Sequence, residues 1–342
     1  MIAEKEWRLS VLDLSPVSSG SSSVDALHNT LDLARLADNL GYTRYWLSEH
    51  HNTALLASAS PEVLIGHVAS VTERIRVGSG GIMLPNHAPL KVAETFRMLS
   101  ALHPGRIDLG LGRAPGTDPM TALALRRSRE AMGADDFPEQ LSTLLAFLND
   151  DFADNHPLRH IKAIPQGVAA PDIWMLGSSD FGALMAAQIG LGFAFAHHIS
   201  PVGAVRAMRL YHERFQPSAY LRAPQSLLAV SVICAETDEA AAELARSADL
   251  TWLYIHQNKR APVPSVAEAR AYPYTPFERE FMQANRERLF VGSPGSVRRQ
   301  IMDLAEQAGT REVMVTTIIH DHQARRHSYE LLDEAFSVAH RH

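Results

Sequence analysis

Cysteine is almost absent from this sequence, since Cys234 is the only one among 342 residues. A single thiol excludes an intramolecular disulfide and a cluster of thiolate metal ligands. Long apolar runs are also missing, because none approaches the roughly 20 residues that a membrane-spanning helix needs. The first ten residues lack the basic and then apolar layout of a secretory signal. We therefore expect a cytoplasmic protein with no membrane partner.

An excess of basic charge is missing as well. The chain has 32 Lys and Arg residues against 38 Asp and Glu, a formal net charge of -6. The basic residues are scattered rather than gathered in a stripe, so we expect no nucleic-acid partner. A composition of 46% hydrophobic and 20% charged residues is ordinary for a globular protein. A chain of this length fits one α/β barrel with insertions.

One layout recurs three times along the chain. The segments LADNLGYTRYWLSE (36–49), MAAQIGLGFAFAHH (185–198) and LAEQAGTREVMVTT (304–317) each finish an amphipathic helix, place a glycine after it and begin an apolar strand. Glycine suits the left-handed conformation that often ends a helix. Continuous apolar runs are typical of parallel strands that are buried on both faces. Each segment therefore predicts the helix-to-strand half of a βα unit.

Eight strands of this kind are predicted, and most are followed by a helix. The predicted strands are Leu9–Leu14, Tyr42–Leu47, Ile75–Gly80, Ile107–Leu111, Ile173–Leu176, Phe193–Ala196, Leu227–Ile233 and Val313–Thr317. The predicted helices are Ser23–Leu40, Pro89–Leu102, Phe181–Ile189, Val202–Phe215, Asp238–Leu253, Ser296–Ala308 and Ala324–Ala339. This count indicates a single α/β domain over residues 1–342, a (β/α)8 TIM barrel. A doubly wound open sheet is the alternative, but the SPVSSGSSS that follows strand 1 lacks the glycine fingerprint of that fold.

Two segments interrupt the alternation of strands and helices. Residues 150–172, after predicted strand 4, contain several prolines and show no periodicity. Residues 254–292, after predicted strand 7, are rich in Pro, Tyr and Arg. Long loops in a compact domain are usually functional. We interpret the first segment as an irregular insertion and the second as a candidate lid.

Polar and glycine residues gather where the predicted strands end. YWLSEHH (45–51) ends in Glu49, His50 and His51, GSGGIM (78–83) includes Gly80 and Gly81, and FAFAHH (193–198) ends in His197 and His198. Active sites of such barrels lie at the carboxyl ends of the strands. These segments therefore indicate one shared site.

Several of these segments have a second interpretation. Arg113 in GLGRAPG is either a phosphate ligand or a surface residue of a glycine-rich turn. The serines of GSSD (177–180) either bind a phosphate or cap the following helix. The glycines of GSGG (78–81) accommodate either a flat ligand or a tight bend of the barrel. The two His pairs with Glu49 leave a metal-dependent hydrolase as an alternative. Neighbouring strand residues point to opposite faces, however, so we expect no metal.

Taken together, these motifs resemble the bacterial luciferase-like family of flavin-dependent monooxygenases, and specifically its alkanal-monooxygenase-like members with one type of subunit. The resemblance covers nearly the whole chain and is strongest in YWLSEHHN, in IRVGSGGIMLPNHAPLKVAETFRMLSALHPGRIDLGLGRAPG, in WMLGSSDFGALMAAQIGLGFAFAHH and in VGSPGSV. It implies a (β/α)8 barrel that binds reduced FMN supplied by a separate flavin reductase. In that family the flavin adds O2 to form a C4a-hydroperoxide, which attacks an aldehyde or another small organic substrate.

The resemblance also assigns expected roles to individual residues. Gly80 and Gly81 match a pair joined by a cis peptide beside the flavin ring. Arg113, Ser178 and Ser179, together with the backbone around Gly182, match the phosphate site. His50 matches the active-site base or hydrogen-bond donor, and Glu49 the residue that orients His50 or the flavin. The candidates for the substrate pocket are His51, Met83, His197 and His198.

Other properties follow from the resemblance or stay open beside it. The family implies a homodimer that packs through helices following the early strands. An F420-dependent oxidoreductase that transfers hydride is an alternative on the same fold. A flavin-binding relative without catalytic activity is another, although the presence of Glu49, His50 and Arg113 disfavours it.

Overall fold

A computed structural model describes residues 7–126 and 136–337. Ten strands lie within these residues, and every pairing between them is parallel. They are β1 (Arg8–Asp13), β2 (Arg44–Leu47), β3 (Arg76–Ser79), β4 (Ile82–Met83), β5 (Ile107–Gly112), β6 (Asp172–Gly177), β7 (Gly192–Ala196), β8 (Ser226–Cys234), β9 (Leu289–Gly292) and β10 (Glu312–Thr316). The eight predicted strands each overlap one of these.

The helices lie between the strands. They are α1 (Ser23–Leu40), α2 (Pro61–Val71), α3 (Pro89–Leu102), α4 (Pro119–Arg126), α5 (Phe137–Asn149), α6 (Asp180–Ile189), α7 (Ala204–Arg214), α8 (Asp238–His256), α9 (Val266–Ala271), α10 (Pro276–Asn285), α11 (Pro294–Ala308) and α12 (His322–Ser337). Two short 3₁₀ helices are Leu84–Asn86 and Arg286–Arg288. None of the described helices is both long and apolar enough to cross a membrane.

The sheet closes on itself. β10 pairs with β1 on one side and with β8 on the other, so that β1, β2, β3, β5, β6, β7, β8 and β10 form a complete ring. The predicted (β/α)8 barrel is therefore confirmed. Because all strands run in the same direction, their carboxyl ends meet at one mouth, and the loops that follow them surround it.

The barrel ring contains one irregularity that bears on the site. β3 pairs with β5 over only two residues, Val77 and Gly78. The next pairing with β5 is made by the short strand β4. The Gly80–Gly81 peptide between β3 and β4 is cis, as the family resemblance implied. The Ser79 hydroxyl fills the interrupted ladder, since its Oγ donates to the Gly110 carbonyl at 2.8 Å and accepts from the Gly110 N–H at 3.0 Å. This arrangement turns Gly80 toward the inside of the barrel mouth.

Glycine ends three helices at the places that the repeated layout indicated. Gly41 after α1, Gly190 after α6 and Gly309 after α11 have φ angles of 84°, 75° and 73°. A side chain would strain the backbone in this left-handed region. The amino end of α1 has a capping box, in which the Ser22 side chain and Asp25 exchange hydrogen bonds with backbone N–H groups.

The barrel interior below the mouth is filled by aromatic and charged side chains. Trp46 and Trp174 pack edge to face with ring centroids 5.5 Å apart. Arg44 donates to Asp108 at 2.7 Å and to Glu312 at 2.6 Å. All of these side chains are buried, and the paired charges compensate one another. These side chains therefore form a packed layer inside the barrel below the mouth.

The segment 254–292 differs from its interpretation as a long loop. It contains the last turn of α8, the whole of α9 and α10, and β9, which pairs with the end of β8. Capping boxes at Ser265 and Thr275 define the starts of α9 and α10. Residues 150–171 contain turns but no helix or strand. The end of the last predicted helix, at Ala339, lies outside the described residues, and α12 ends at Ser337.

Candidate active site

Two adjoining cavities open at the mouth of the barrel. The smaller measures about 240 Å³ and the larger about 730 Å³. Both are lined by Leu12, Gly80, Met83, His198 and Ile199. The cavities therefore lie side by side along these five residues.

The smaller cavity has the properties of an anion site. Arg113, from the loop after β5, lies there beside Ser178 and Ser179, from the turn between β6 and α6. No side chain caps the amino end of α6, so its first N–H groups are free for a ligand. The guanidinium of Arg113 lies 4.2 Å from the Phe181 ring centroid, which fixes its position.

Charge balance also favours an anion at this point. Asp180, in the first turn of α6, is the nearest carboxylate in sequence to the serines, and it pairs with Arg206 of α7 at 2.6 Å. Its charge is therefore compensated from the outside. The partial positive charge at the amino end of α6 and the charge of Arg113 remain to attract an anion.

The glycines of the GSGG segment serve two purposes. A Cβ added to Gly78 would lie 2.6 Å from the Asp108 Cβ, so that glycine permits close packing of β3 against β5. A Cβ on Gly80 would lie 2.6 Å from Leu12 Cδ1, and Gly80 lines both cavities. Gly78 therefore serves the packing of neighbouring strands, and the contact of Gly80 with a flat ligand stays a prediction.

The larger cavity contains the histidines that follow β2 and β7. His50 Nδ1 is 3.0 Å from the Ser48 hydroxyl, and His198 Nδ1 is 3.2 Å from the Ala229 carbonyl oxygen. Burial lowers the pKa of each imidazole from 6.5 to about 4. Both rings are consequently neutral near pH 7, and each is fixed through one nitrogen while it lines the cavity.

The structure corrects the expected role of Glu49. Its carboxylate is buried and bonds to His51 Nε2 at 3.0 Å, to His87 Nε2 at 2.9 Å and to the backbone N–H of Met83 at 2.8 Å. It forms no hydrogen bond with His50, and it lines neither cavity. Glu49 therefore organises His51 and the start of the loop after β4. No hydrogen bond supports the expectation that Glu49 orients His50, and its expected role toward the flavin stays a prediction.

The two other histidine predictions have different outcomes. His50 and His51 both line the larger cavity, because β2 ends at Leu47 and the alternation of a strand no longer applies to them. His197 lines neither cavity. Its buried ring packs against Phe290 with centroids 5.6 Å apart, so its assignment to the substrate pocket is wrong.

No group of three or more His, Cys, Asp or Glu side chains in residues 7–126 and 136–337 is arranged to hold a metal ion. His51 and His87 share the Glu49 carboxylate instead, and His50 has Ser48 as its partner.

The outer wall of the larger cavity comes from the loop after α8. Arg260 donates to the Asn52 side-chain oxygen at 3.1 Å and lies 3.8 Å from the Asp118 carboxylate. Asn52 in turn donates to Asp118 at 2.9 Å. Three loops that follow different strands are thus linked over the mouth.

Fold and site together define a (β/α)8 barrel with two adjoining cavities at its mouth, one beside Arg113 and the other beside neutral histidines. The profile of the family described as luciferase-like monooxygenase matches residues 8–312. The chain belongs to that family, which confirms the resemblance seen in its motifs, and the protein is a flavin-dependent oxidoreductase.

Individual relatives cover nearly the whole chain. The uncharacterized protein YceB of Bacillus subtilis (strain 168) is 45% identical over 96% of this chain and 99% of its own length. The luciferase-like monooxygenase of Escherichia coli (strain K12) is 40% identical over 96% of this chain and 97% of its own. The crystal structure of apo-MsnO8 has a TM-score of 0.89 at 38% identity, covering 97% of this chain and 98% of that one.

More distant structures show the same fold alone. The oxygenating constituent of 3,6-diketocamphane monooxygenase from Pseudomonas putida, solved in complex with FMN, has a TM-score of 0.70 at 19% identity. An F420-dependent secondary alcohol dehydrogenase has a TM-score of 0.64 at 14% identity. They cover 96% of this chain and 97% and 99% of their own.

Sequence reasoning missed several residues of the site. His87 was visible in the segment LPNHAP but carried no signal of its own, because only the fold brings it to Glu49. Trp252 and Tyr254 line the larger cavity from the end of α8; Trp252 was predicted only as part of a helix, whereas Tyr254 fell within the segment interpreted as a lid. Asn52, with φ of 52°, had no distinguishing pattern around it.

Proposed function

We propose that the protein is an FMN-dependent monooxygenase. It uses reduced FMN, delivered by a separate flavin reductase, and O2 to oxidise an aldehyde-like or other small organic substrate. The observation that carries this proposal is that two cavities adjoin at the barrel mouth, with Arg113 and the uncapped end of α6 in one and two neutral histidines in the other.

The residues of the smaller cavity fit the phosphate of FMN. Arg113 supplies a guanidinium that can form two parallel bonds with phosphate oxygens. Ser178, Ser179 and the N–H groups near Gly182 supply neutral donors around it. Riboflavin lacks the phosphate, so this set of donors distinguishes FMN from its unphosphorylated form.

The surfaces between the cavities fit the flat ring of the flavin. Gly80 offers exposed backbone on one side, and Leu12 and Met83 offer apolar contacts. Reduced FMN supplies the two electrons with which O2 is activated. The protein has to place the ring, keep it dry and present hydrogen-bonding groups at its reactive edge.

His50 is the residue that we place beside the reacting atoms. Its Nδ1 is held by Ser48, which leaves the other ring nitrogen, Nε2, for the ligand. With a pKa of about 4 it is neutral, so it acts as a hydrogen-bond partner or as an acceptor of a proton from a strong acid. Positioned proton transfer of this kind contributes on the order of 10²–10⁴ in rate. His198 lines the same cavity, and its imidazole is also neutral near pH 7 because burial lowers its pKa.

The loop after α8 forms the lid. Trp252 and Tyr254, at the end of α8, add an apolar wall beside this loop, and Arg260 links the loop to Asn52 and Asp118. A closed lid keeps water away from reactive oxygen species in the cavity. The interactions of Arg260 with Asn52 and Asp118 are exposed to solvent and therefore weak. This allows the lid to open for substrate and product.

The protein also functions as a homodimer in this proposal. Large apolar side chains are exposed on the helices that follow the early strands, among them Val63 on α2 and Met98 and Leu102 on α3. Exposed apolar groups on neighbouring elements are typical of protein interfaces. The cytoplasmic location stays a prediction.

Cofactor titrations and turnover test the proposal. The apoprotein is titrated with reduced FMN, riboflavin and F420 under anaerobic conditions, and binding is followed by fluorescence. We expect FMN to bind most tightly. Turnover is then measured with a flavin reductase, NADH, O2 and a panel of aldehydes. Tightest binding of F420, or no product with any aldehyde and no peroxide without one, would contradict the assignment.

A further inference from the structure

A buried carboxylate lies between two imidazoles, one inside the cavity and one outside it. Glu49 Oε1 is 3.0 Å from His51 Nε2, and Glu49 Oε2 is 2.9 Å from His87 Nε2. The Glu49 side chain is fully buried, whereas the side chains of His51 and His87 are 17% and 30% exposed. His51 lines the larger cavity, and His87 lines neither cavity. The three side chains thus form a continuous path from the outer surface to the cavity.

The surroundings of this path hold it in place. Asn86 donates to Glu49 Oε1 at 3.3 Å and to the Pro115 carbonyl at 2.9 Å, and the Met83 N–H donates to Glu49 Oε2. The charged groups that act on His87 are Glu49 and Glu62 of α2, and they raise the pKa of its imidazole, whereas burial lowers it. Hydrogen bonds to His87 and His51 lower the pKa of Glu49 against the effect of its own burial.

We propose that His87, Glu49 and His51 form a proton relay that connects solvent with the cavity. A solvent proton binds His87 Nδ1, and the proton on His87 Nε2 passes to Glu49 Oε1, which lies 3.0 Å from the Nε2 atoms of both rings. Glu49 passes this same proton to His51 Nε2 and becomes a carboxylate again, and His51 releases its Nδ1 proton into the cavity. One proton enters, one leaves, and no electrons move. The inference rests on the proposed function for the reaction that uses the proton.

The proposed chemistry needs such a proton. Anionic reduced FMN, O2, one proton and a substrate give oxidised FMN, the oxygenated substrate and water. Without substrate, the same flavin, O2 and one proton give oxidised FMN and hydrogen peroxide. A lid that excludes water also excludes protons, so a fixed path of side chains would supply them. The rings of His50 and His198 bond instead to the Ser48 hydroxyl and to the Ala229 carbonyl, and neither partner is an ionisable group that could carry a proton onward.

The test compares His87→Gln with wild type. The glutamine amide can still donate a hydrogen bond to Glu49, but it cannot carry a proton. We expect its FMN binding to be unchanged while the oxidation of bound reduced FMN by O2 slows, on the order of tenfold or more. The solvent deuterium isotope effect should rise, and added imidazole should restore the rate in His87→Ala. His28→Gln, at an exposed position on α1, is the matched control.

A second readout uses the apoprotein and no flavin. Nitrogen-15 NMR of labelled histidines measures how fast the ring N–H protons of His51 and His87 exchange with solvent. In a relay the buried Nε2 protons exchange through Glu49, and Glu49→Gln slows this exchange. Equal exchange in wild type and Glu49→Gln would overturn the relay even if the enzyme were active. A wild-type oxidation rate and isotope effect in His87→Gln would overturn it too. Exchange through Glu49 in a protein that fails to bind FMN would refute the proposed function and leave the path intact.

Discussion

Replacing Arg113 with alanine removes the guanidinium from the proposed phosphate site and leaves the ring site unchanged. A hydrogen bond to a charged group contributes about 1.5–3 kcal/mol. Arg113 is exposed at the edge of the smaller cavity, so we take the lower end of this span. About 1.5 kcal/mol corresponds to a roughly tenfold weaker affinity for FMN. Riboflavin, which has no phosphate, should lose less than about twofold.

The assay is an anaerobic fluorescence titration of both ligands against wild type, Arg113→Ala and Arg113→Lys. Lysine keeps the charge but cannot make two parallel bonds, so its affinity for FMN should lie between the other two. The ratio of FMN to riboflavin affinity isolates the phosphate contribution from any general loss of structure. An equal loss for both ligands in Arg113→Ala would refute the placement of the phosphate beside this arginine.

Three further predictions concern the histidines and the lid. His50→Ala should bind reduced FMN nearly as wild type does but form product on the order of 10²-fold more slowly; unchanged turnover would remove His50 from the reaction. His50 and His198 have folded pKa values of about 4 against 6.5 in the unfolded chain, so the free energy of unfolding should fall as pH drops from 6.5 to 4. The slope is about 1.4 kcal/mol per pH unit for each ring, and urea denaturation of wild type and His198→Phe checks it; identical slopes would contradict the burial argument. Arg260→Ala should accelerate amide hydrogen exchange in the lid near residues 254–264 and increase peroxide release, and exchange as slow as in wild type would show that this residue does not hold the lid.

The barrel could be predicted from the sequence because its periodic signals are local. Apolar runs such as Leu227–Ile233 are buried on both faces, and the glycines at 41, 190 and 309 end helices by a conformation that other residues avoid. These signals depend only on neighbours in the chain. They can therefore be recognised in the sequence without any knowledge of tertiary contacts.

The elements that were missed lack such signals. α2 is apolar on most sides, so its periodicity is weak, and residues 254–292 were read as loop because their prolines and aromatics dominate the composition. Pro276 in fact begins α10, at the position where a helix tolerates proline. β9 is four residues long and depends on the end of β8 for its pairing.

The site was predictable only to the level of strand ends. That His50, Arg113 and the serines of the β6–α6 turn lie at one mouth follows from parallel strands. The partners of Glu49 do not follow, because His87 is 38 residues away in the chain and reaches it only through the loop after β4. The same limit explains His197, whose neighbour Phe290 belongs to β9.

A crystal structure with FMN tests the central claim most directly. The account predicts the phosphate within hydrogen-bonding distance of Arg113, Ser178 and Ser179, and the ring over the Gly80–Gly81 peptide with its reactive edge toward His50. A phosphate elsewhere in the barrel mouth, or a ring that does not lie between the two cavities, would contradict it.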